Sequence, residues 1–195
     1  MRFLVLFLVL ASCSAPAFAK SKPVDAVRLI SCETPGGLAQ GTAFSVQKNR
    51  MITANHVLMA DAKCHLDGGT IAVVYRDPAG DVAEFKAYLD VLPYSCDGLV
   101  PNQTYTAIGY DHGKALESLQ VTAIAMPLNG SMPSAPQIDA DTLAVVKGNL
   151  THGFSGGPVL DATGNVVGII IADNPVLGLS FVRSLHDTTI CRSNN

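Results

Sequence analysis

The sequence contains no run of basic residues, which removes the electrostatic footprint of a nucleic-acid-binding protein and of one held to an anionic membrane surface. Charged residues make up only 15% of the 195, with Lys+Arg 13 against Asp+Glu 16 and a formal net charge of −3. No CxxC or HxxH spacing occurs, and Cys64-His65 is too tight for both side chains to reach one zinc easily, so no metal site is expected. There is no internal repeat and no low-complexity tract. Nor is there a sustained 3.6-residue period, which excludes a fold built on long amphipathic helices. Beyond the N-terminus no stretch reaches the roughly 20 apolar residues that a membrane-spanning helix needs.

What is present begins with an export leader. Met1-Arg2 supplies one positive charge, Phe3–Leu10 is an unbroken apolar run, and Ala17-Phe18-Ala19 offers small residues where a signal peptidase cuts. Cleavage after Ala19 leaves a mature chain of residues 20–195. A second processing route stands beside it: Leu10-Ala11-Ser12-Cys13 resembles a bacterial lipobox, which would place a lipid anchor on Cys13. Either route puts the protein outside the cytoplasm, secreted or periplasmic in the first case and lipid-anchored in the second. Without Cys13, four cysteines remain: Cys32, Cys64, Cys96 and Cys191. An even set in an exported chain reads as two disulfides. Three pairings are open. Cys32–Cys64 with Cys96–Cys191 is preferred, because the first pair brackets the strand-rich N-terminal half.

The mature chain is a series of short strand-like runs separated by turn residues. Val27–Cys32, Thr42–Val46, Arg50–Ala54, Thr70–Arg76 and Val82–Leu89 form one set. After a connection at Pro93–Gln103 come Tyr105–Tyr110, Leu119–Met126, Leu143–Lys147, Pro158–Asp161, Asn165–Ala172 and Leu179–Val182. Single helical turns are expected around His56 and over Arg183–Asp187. About a dozen short strands in two sets predict an all-β sandwich or barrel pair.

Two motifs carry chemistry. In Gly153-Phe154-Ser155-Gly156-Gly157-Pro158, small residues flank a serine, so the backbone can turn tightly and leave room for a substrate carbonyl. A serine hydroxyl needs an activating base and a site for the oxyanion it creates. The N–H groups of Gly153 and Ser155 can supply that site. About a hundred residues upstream, Met51-Ile52-Thr53-Ala54-Asn55-His56 is an apolar strand that ends in small residues and presents a histidine. Histidine suits a general base because its pKa lies close to neutrality. His65, His112, His152 and His186 read as ordinary histidines by comparison, although His152, three residues before the serine, is a candidate for substrate contact.

Together Gly41–Phe44, Thr53-Ala54-x-His56-Val57 and Gly153-x-Ser155-Gly-Gly-Pro158 resemble the trypsin-like (chymotrypsin-fold) serine peptidases, most closely the short bacterial and viral members. The resemblance implies two six-stranded antiparallel β-barrels, about residues 24–92 and 104–185, with the active site between them. It implies protein or peptide substrates, no cofactor, and a catalytic set of His56, Ser155 and one aspartate. Asp81-Val82-Ala83 best resembles the family's Asp-apolar-Ala signature and lies 25 residues after His56. Glu84 departs from that signature, which leaves Asp90, Asp97 and Asp77 as rivals. By the same analogy the pocket for the P1 side chain, which precedes the scissile bond, is floored at Asn149. Its walls come from the strand ending Ile171-Ala172-Asp173 and from Gly178. An uncharged floor predicts a neutral P1 residue, while Asp173 argues for a basic one from the rim. Phe154 stands where digestive members carry an aspartate that pairs with a newly cut N-terminus, so no zymogen switch of that kind is expected. A catalytically silent relative that binds a partner is the alternative to an active enzyme. Asn102, Asn129 and Asn149 fit the glycosylation pattern.

Overall fold

The computed structural model describes residues 23–58, 62–125, 138–139 and 143–192. The leader, Cys13 and the Asn129 acceptor pattern lie outside these residues. Thirteen strands are described, in two sheets. The first sheet contains β1 (Val27–Thr34), β2 (Gly37–Gln47), β3 (Arg50–Ala54), β4 (Lys63–Leu66), β5 (Gly69–Thr70), β6 (Val73–Asp77) and β7 (Val82–Phe85). Its order is β5-β4-β1-β2-β3-β7-β6. The second contains β8 (Thr104–Asp111), β9 (Ala115–Ala125), β10 (Leu143–Lys147), β11 (Pro158–Leu160), β12 (Val166–Asn174) and β13 (Leu179–Ser184), closed in the order β10-β13-β12-β11-β8-β9.

The all-β expectation holds, and the second half is the six-stranded barrel that the resemblance implies. The first half differs: it is a curled seven-stranded sheet whose end strands β5 and β6 do not pair. The reason is local. β5 is only two residues long, and Ile71-Ala72 carries the chain directly from it into β6. The additional strand is β4, which antiparallel pairing to β1 holds in place, with Cys32 opposite Cys64. That cross-strand pair is one disulfide, and Cys96–Cys191 is the other. The second bond closes a loop of 95 residues, and on the chain-entropy account a loop of that size removes about 4–5 kcal/mol of unfolded-state freedom.

Most central strands are covered on both faces: β7 and β11 are buried throughout, and Gly41–Val46 of β2 and Val166–Ile171 of β12 are buried without a break. Phe44, Met51, Ile52, Phe85 and Leu92 are fully buried in a core that continues into Leu143, Ile169 and Leu185 of the other half. A second core inside the closed barrel holds Val146, Leu150, Phe154, Ile170 and Val182. Arg183 belongs to β13, and the helical turn expected at 183–187 is a 3-10 turn over Leu185–Asp187. A four-residue helix, Thr189–Arg192, follows it. The buried Glu84, which departs from the family's apolar pattern, accepts from Thr189 Oγ1 at 2.5 Å and pairs with Arg50, so its charge is met. Among the described residues no helix is long and apolar enough to cross a membrane.

Candidate active site

Register brings the histidine and its carboxylate together. β3 runs antiparallel to β7 with Ala54 opposite Val82, so the residue leaving β3 and the residue entering β7 are neighbours. Asn55 N–H donates to the Asp81 carbonyl at 3.0 Å. A 3-10 turn over Asn55–Val57 then swings His56 over Asp81. The Asp81 carboxylate accepts the His56 backbone N–H on Oδ1 at 2.9 Å and faces the ring Nδ1 with Oδ2 at 2.6 Å. Asp81 is buried and His56 is half exposed, so the carboxylate holds the ring from the protein side and leaves its far edge towards solvent.

The other candidate carboxylates lie elsewhere. Asp77 Oδ1 accepts the Gly80 N–H, and Asp97 accepts from Ser95 Oγ at 2.5 Å. Asp90 lines an open cleft with Asp25, Arg28, Lys48 and Tyr88. None of these three is hydrogen-bonded to His56 among the described residues.

Ser155 sits in the loop between β10 and β11. Hydrogen bonds from Phe154 N–H to Thr151 O (3.2 Å) and from Gly157 N–H to Phe154 O (2.8 Å) wind this loop tightly. Gly153 (φ 101°) and Gly156 (φ 83°) take backbone conformations that disfavour other residues, and neither has room for a Cβ. A Cβ on Gly153 would lie 2.1 Å from the Tyr110 carbonyl, and one on Gly156 would lie 2.2 Å from Thr42 O. Phe154 points into the closed barrel against Gly109 and is 1% exposed. Burying a phenyl ring of this kind contributes about 1.5–3 kcal/mol, which anchors the loop by apolar packing. Ser155 Oγ meets Ile171 O at 3.5 Å, and no hydrogen bond joins it to His56 among the described residues. Catalytic hydrogen bonds are often long without substrate and tighten once it binds. The N–H groups of Gly153 and Ser155 have no protein acceptor among the described residues.

Thr42 is the joint between the two halves. Its N–H donates to Ser155 O at 2.8 Å, its hydroxyl donates to Gly153 O at 2.7 Å, and Tyr110 N–H donates to that hydroxyl at 3.1 Å. Thr53, three residues before His56, donates its hydroxyl to Thr42 O at 2.7 Å. Gly41 lies against the Val57 side chain and the Ser155 carbonyl together. The loop carrying Ser155 is thereby fastened to the strands that carry His56.

Two of the residues expected to line the P1 pocket are neighbours. Gly178 lies beside Asn149 Oδ1, and Ile171 and Ala172 continue β12 beyond the Gly156–Ile170 hydrogen bond. Asp173 pairs with Ser180 across β12 and β13, and Asp173 Oδ2 and Ser180 Oγ are buried with no hydrogen-bond partner among the described residues. Sequence reasoning passed over the group beside His152. His112 N–H donates to His152 O at 2.7 Å, and the two imidazoles meet edge to face with centroids 6.2 Å apart. Asp111 accepts from Thr151 Oγ1 at 2.5 Å and faces His112 Nδ1 at 2.7 Å. The Thr151 hydroxyl, and after it His112, hold the Asp111 carboxyl below the usual carboxylate range. Only the adjacency Asp111-His112 hinted at this group in the sequence.

Comparison with known proteins agrees with this architecture. The Rv3671c protease of M. tuberculosis superimposes with a TM-score of 0.71 at 18% identity, covering 87% of this chain and 86% of its own. The HtrA-type protease AlgW, solved with a tripeptide, gives 0.71 at 22% identity, over 89% of this chain and 60% of that one. A serine endoprotease of Yersinia pestis gives 0.68 at 18%, over 87% and 62%. At these identities the likeness is one of fold. No curated protein is detectably similar in sequence. The trypsin-like peptidase domain family matches residues 41–169, a span that includes His56, Asp81 and Ser155; the chain belongs to that family.

Proposed function

We propose that the protein is a serine endopeptidase acting outside the cytoplasm. Ser155 Oγ attacks the scissile carbonyl while His56 Nε2 takes the hydroxyl proton. Asp81 holds the Nδ1–H tautomer and stabilises the imidazolium. The N–H groups of Gly153 and Ser155 receive the developing oxyanion, and such a donor is worth about 2.7–4 kcal/mol in the transition state. The tetrahedral intermediate collapses as His56 returns the proton to the leaving amine, giving an acyl-enzyme and the first product. Water then attacks the ester with His56 again as base, which frees the second product and restores Ser155. The observation that carries this reading is the His56–Asp81 contact of 2.6 Å, set by strand register and tied through Thr42 to the Ser155 loop. The leader and two disulfides support export.

A second reading, a silent relative that binds peptide in the same cleft, draws on the Ser155 hydroxyl facing Ile171 O instead of the imidazole. A fluorophosphonate probe separates the two, because it reacts only with a serine made nucleophilic by its surroundings. The oxidised chain starting at Lys20 is expected to label once, at Ser155, without further trimming. Intact-mass analysis of the full-length chain expressed with its leader reports separately whether processing ends at Lys20 or at a lipidated Cys13. No label on a folded, oxidised chain would establish the silent reading.

For selectivity, Asn149 beside Gly178 carries no charge, and the inner oxygen of Asp173 is shut off from solvent. We therefore propose a neutral P1 residue. A peptide-library cleavage profile is expected to show small and medium apolar residues there, and dominance of Arg and Lys would reject this assignment.

A further inference from the structure

Strand alternation sends Arg183 out of the barrel that carries it. Val182, its neighbour on β13, lies in the second core, so Arg183 points the opposite way, towards the first sheet. It is 3% exposed there. Its guanidinium reaches across more than a hundred residues of sequence to one turn, where Nε donates to Gly80 O at 3.0 Å and Nη2 to Ala79 O at 3.3 Å. Nη2 also donates to Asp139 O at 3.1 Å. Burying an arginine is costly unless its fork of donors is met, and here backbone carbonyls meet it. Burial draws the guanidinium below the usual arginine value, and the negative charges of Asp187, Asp139, Asp77 and Asp81 oppose that fall.

The turn that Arg183 grips is the one that delivers Asp81. The Gly80 carbonyl belongs to the same peptide plane as the Asp81 N–H. Asp81 has φ 53°, in the left-handed region that an L side chain occupies only when its surroundings impose it. Both oxygens of its carboxylate are committed to His56, one to the backbone N–H and one to Nδ1. A shift of this peptide plane therefore moves both contacts together. Asp77 and Asp139 add further ties, with Gly80 N–H donating to the Asp77 carboxylate Oδ1 and Asp139 N–H donating to Ala79 O. Arg183 is the cation of the set.

We propose that Arg183 is a positioning residue for Asp81: by holding the Ala79 and Gly80 carbonyls it fixes the peptide plane from which the Asp81 carboxylate meets His56. The proposal rests on the reading of His56, Asp81 and Ser155 as the catalytic set. Arg183 touches neither substrate nor the reacting atoms and acts only through Asp81. Ordinary residues cannot replace its reach, since three carbonyls converge on one planar fork. Lysine keeps the charge but has a single nitrogen to share among them.

The test uses the full oxidised chain and the variants Arg183→Gln and Arg183→Lys. Arg183→Gln is expected to lower kcat about 100-fold with KM within about twofold, the size expected of a 1 Å misplacement at a catalytic group. Arg183→Lys is expected to recover about a tenth or more of native kcat, and if the glutamine variant does not fold, the lysine variant's smaller loss of kcat carries the measurement. Combined with Asp81→Asn, Arg183→Gln is expected to cost little more than Asp81→Asn alone; an undiminished 100-fold loss on that background would place its action elsewhere and overturn the proposal. The far-downfield proton resonance of the His56–Asp81 hydrogen bond gives a readout independent of turnover. It is expected to shift or vanish in Arg183→Gln, and an unchanged resonance overturns the proposal. A wild type without hydrolytic activity overturns the peptidase reading instead, and the resonance then still decides whether Arg183 places Asp81.

Discussion

Ser155→Ala is expected to cut peptide hydrolysis about 10⁶-fold, the loss that follows from removing the nucleophile of a Ser-His-Asp set. The same change is expected to leave the melting temperature within a few degrees of native. The separation follows from what the hydroxyl touches. Its contact with Ile171 O is 3.5 Å long, at the limit of a hydrogen bond, so alanine gives up little. The bonds that shape the loop are backbone bonds: Thr42 N–H to Ser155 O, Gly156 N–H to Ile170 O and Gly157 N–H to Phe154 O. Alanine keeps all three. Turnover of a chromogenic peptide and a thermal melt of the same preparation check both halves of the statement. A variant retaining more than about a hundredth of native turnover would mean that the nucleophile lies elsewhere. A collapse in stability would recast Ser155 as a structural residue.

Asp81→Asn is expected to lower kcat about 10⁴-fold in a folded protein. Asparagine keeps the size of the side chain, and its Oδ1 still accepts the His56 backbone N–H. It also tolerates the left-handed backbone of position 81, which alanine does not at a cost of about 1–2 kcal/mol. What changes is the group facing Nδ1: an N–H₂ donor replaces a carboxylate oxygen. The imidazole must turn its lone pair towards that donor, so Nε2 carries the proton and cannot accept one from Ser155. Steady-state kinetics across pH measure the loss, and a thermal melt confirms the fold. A fall of less than about tenfold would remove Asp81 from the catalytic set.

Much of this was legible before any coordinates. The apolar run Met51–Ala54 ending in His56, and the small residues around Ser155, mark the two residues proposed as base and nucleophile. Their roles depend on residue type and immediate neighbours, which a sequence displays directly. The aspartate was harder, because spacing alone cannot separate Asp77, Asp81, Asp90 and Asp97. Register brings Asp81 to His56, and the pairing of Ala54 with Val82 is a relation between two strands, invisible along either one. β4 was missed for a similar reason: Lys63-Cys64-His65-Leu66 has weak strand character and is held by β1 and the Cys32–Cys64 bond. The start of β9 was missed as well. Ala115–Ser118 carries exposed, partly charged residues, yet it pairs with β8 along its whole length. Arg183 reads in the sequence as the start of a terminal turn, and its partners lie more than a hundred residues away.

Thr42 has a consequence for the life of the chain before it is finished. One threonine on β2 holds the carbonyls of Gly153 and Ser155 from the far side of the cleft, and Gly156 is seated against Thr42 and Thr53. The Ser155 loop is thus moulded by the half of the protein that does not contain it. A newly made chain whose halves have not yet met has the serine without its mould and the histidine without its target. On the peptidase reading proposed above, such a chain would cut neither its own unfolded segments nor those of its neighbours, and cutting power would arrive only when there is little loose polypeptide left nearby to damage.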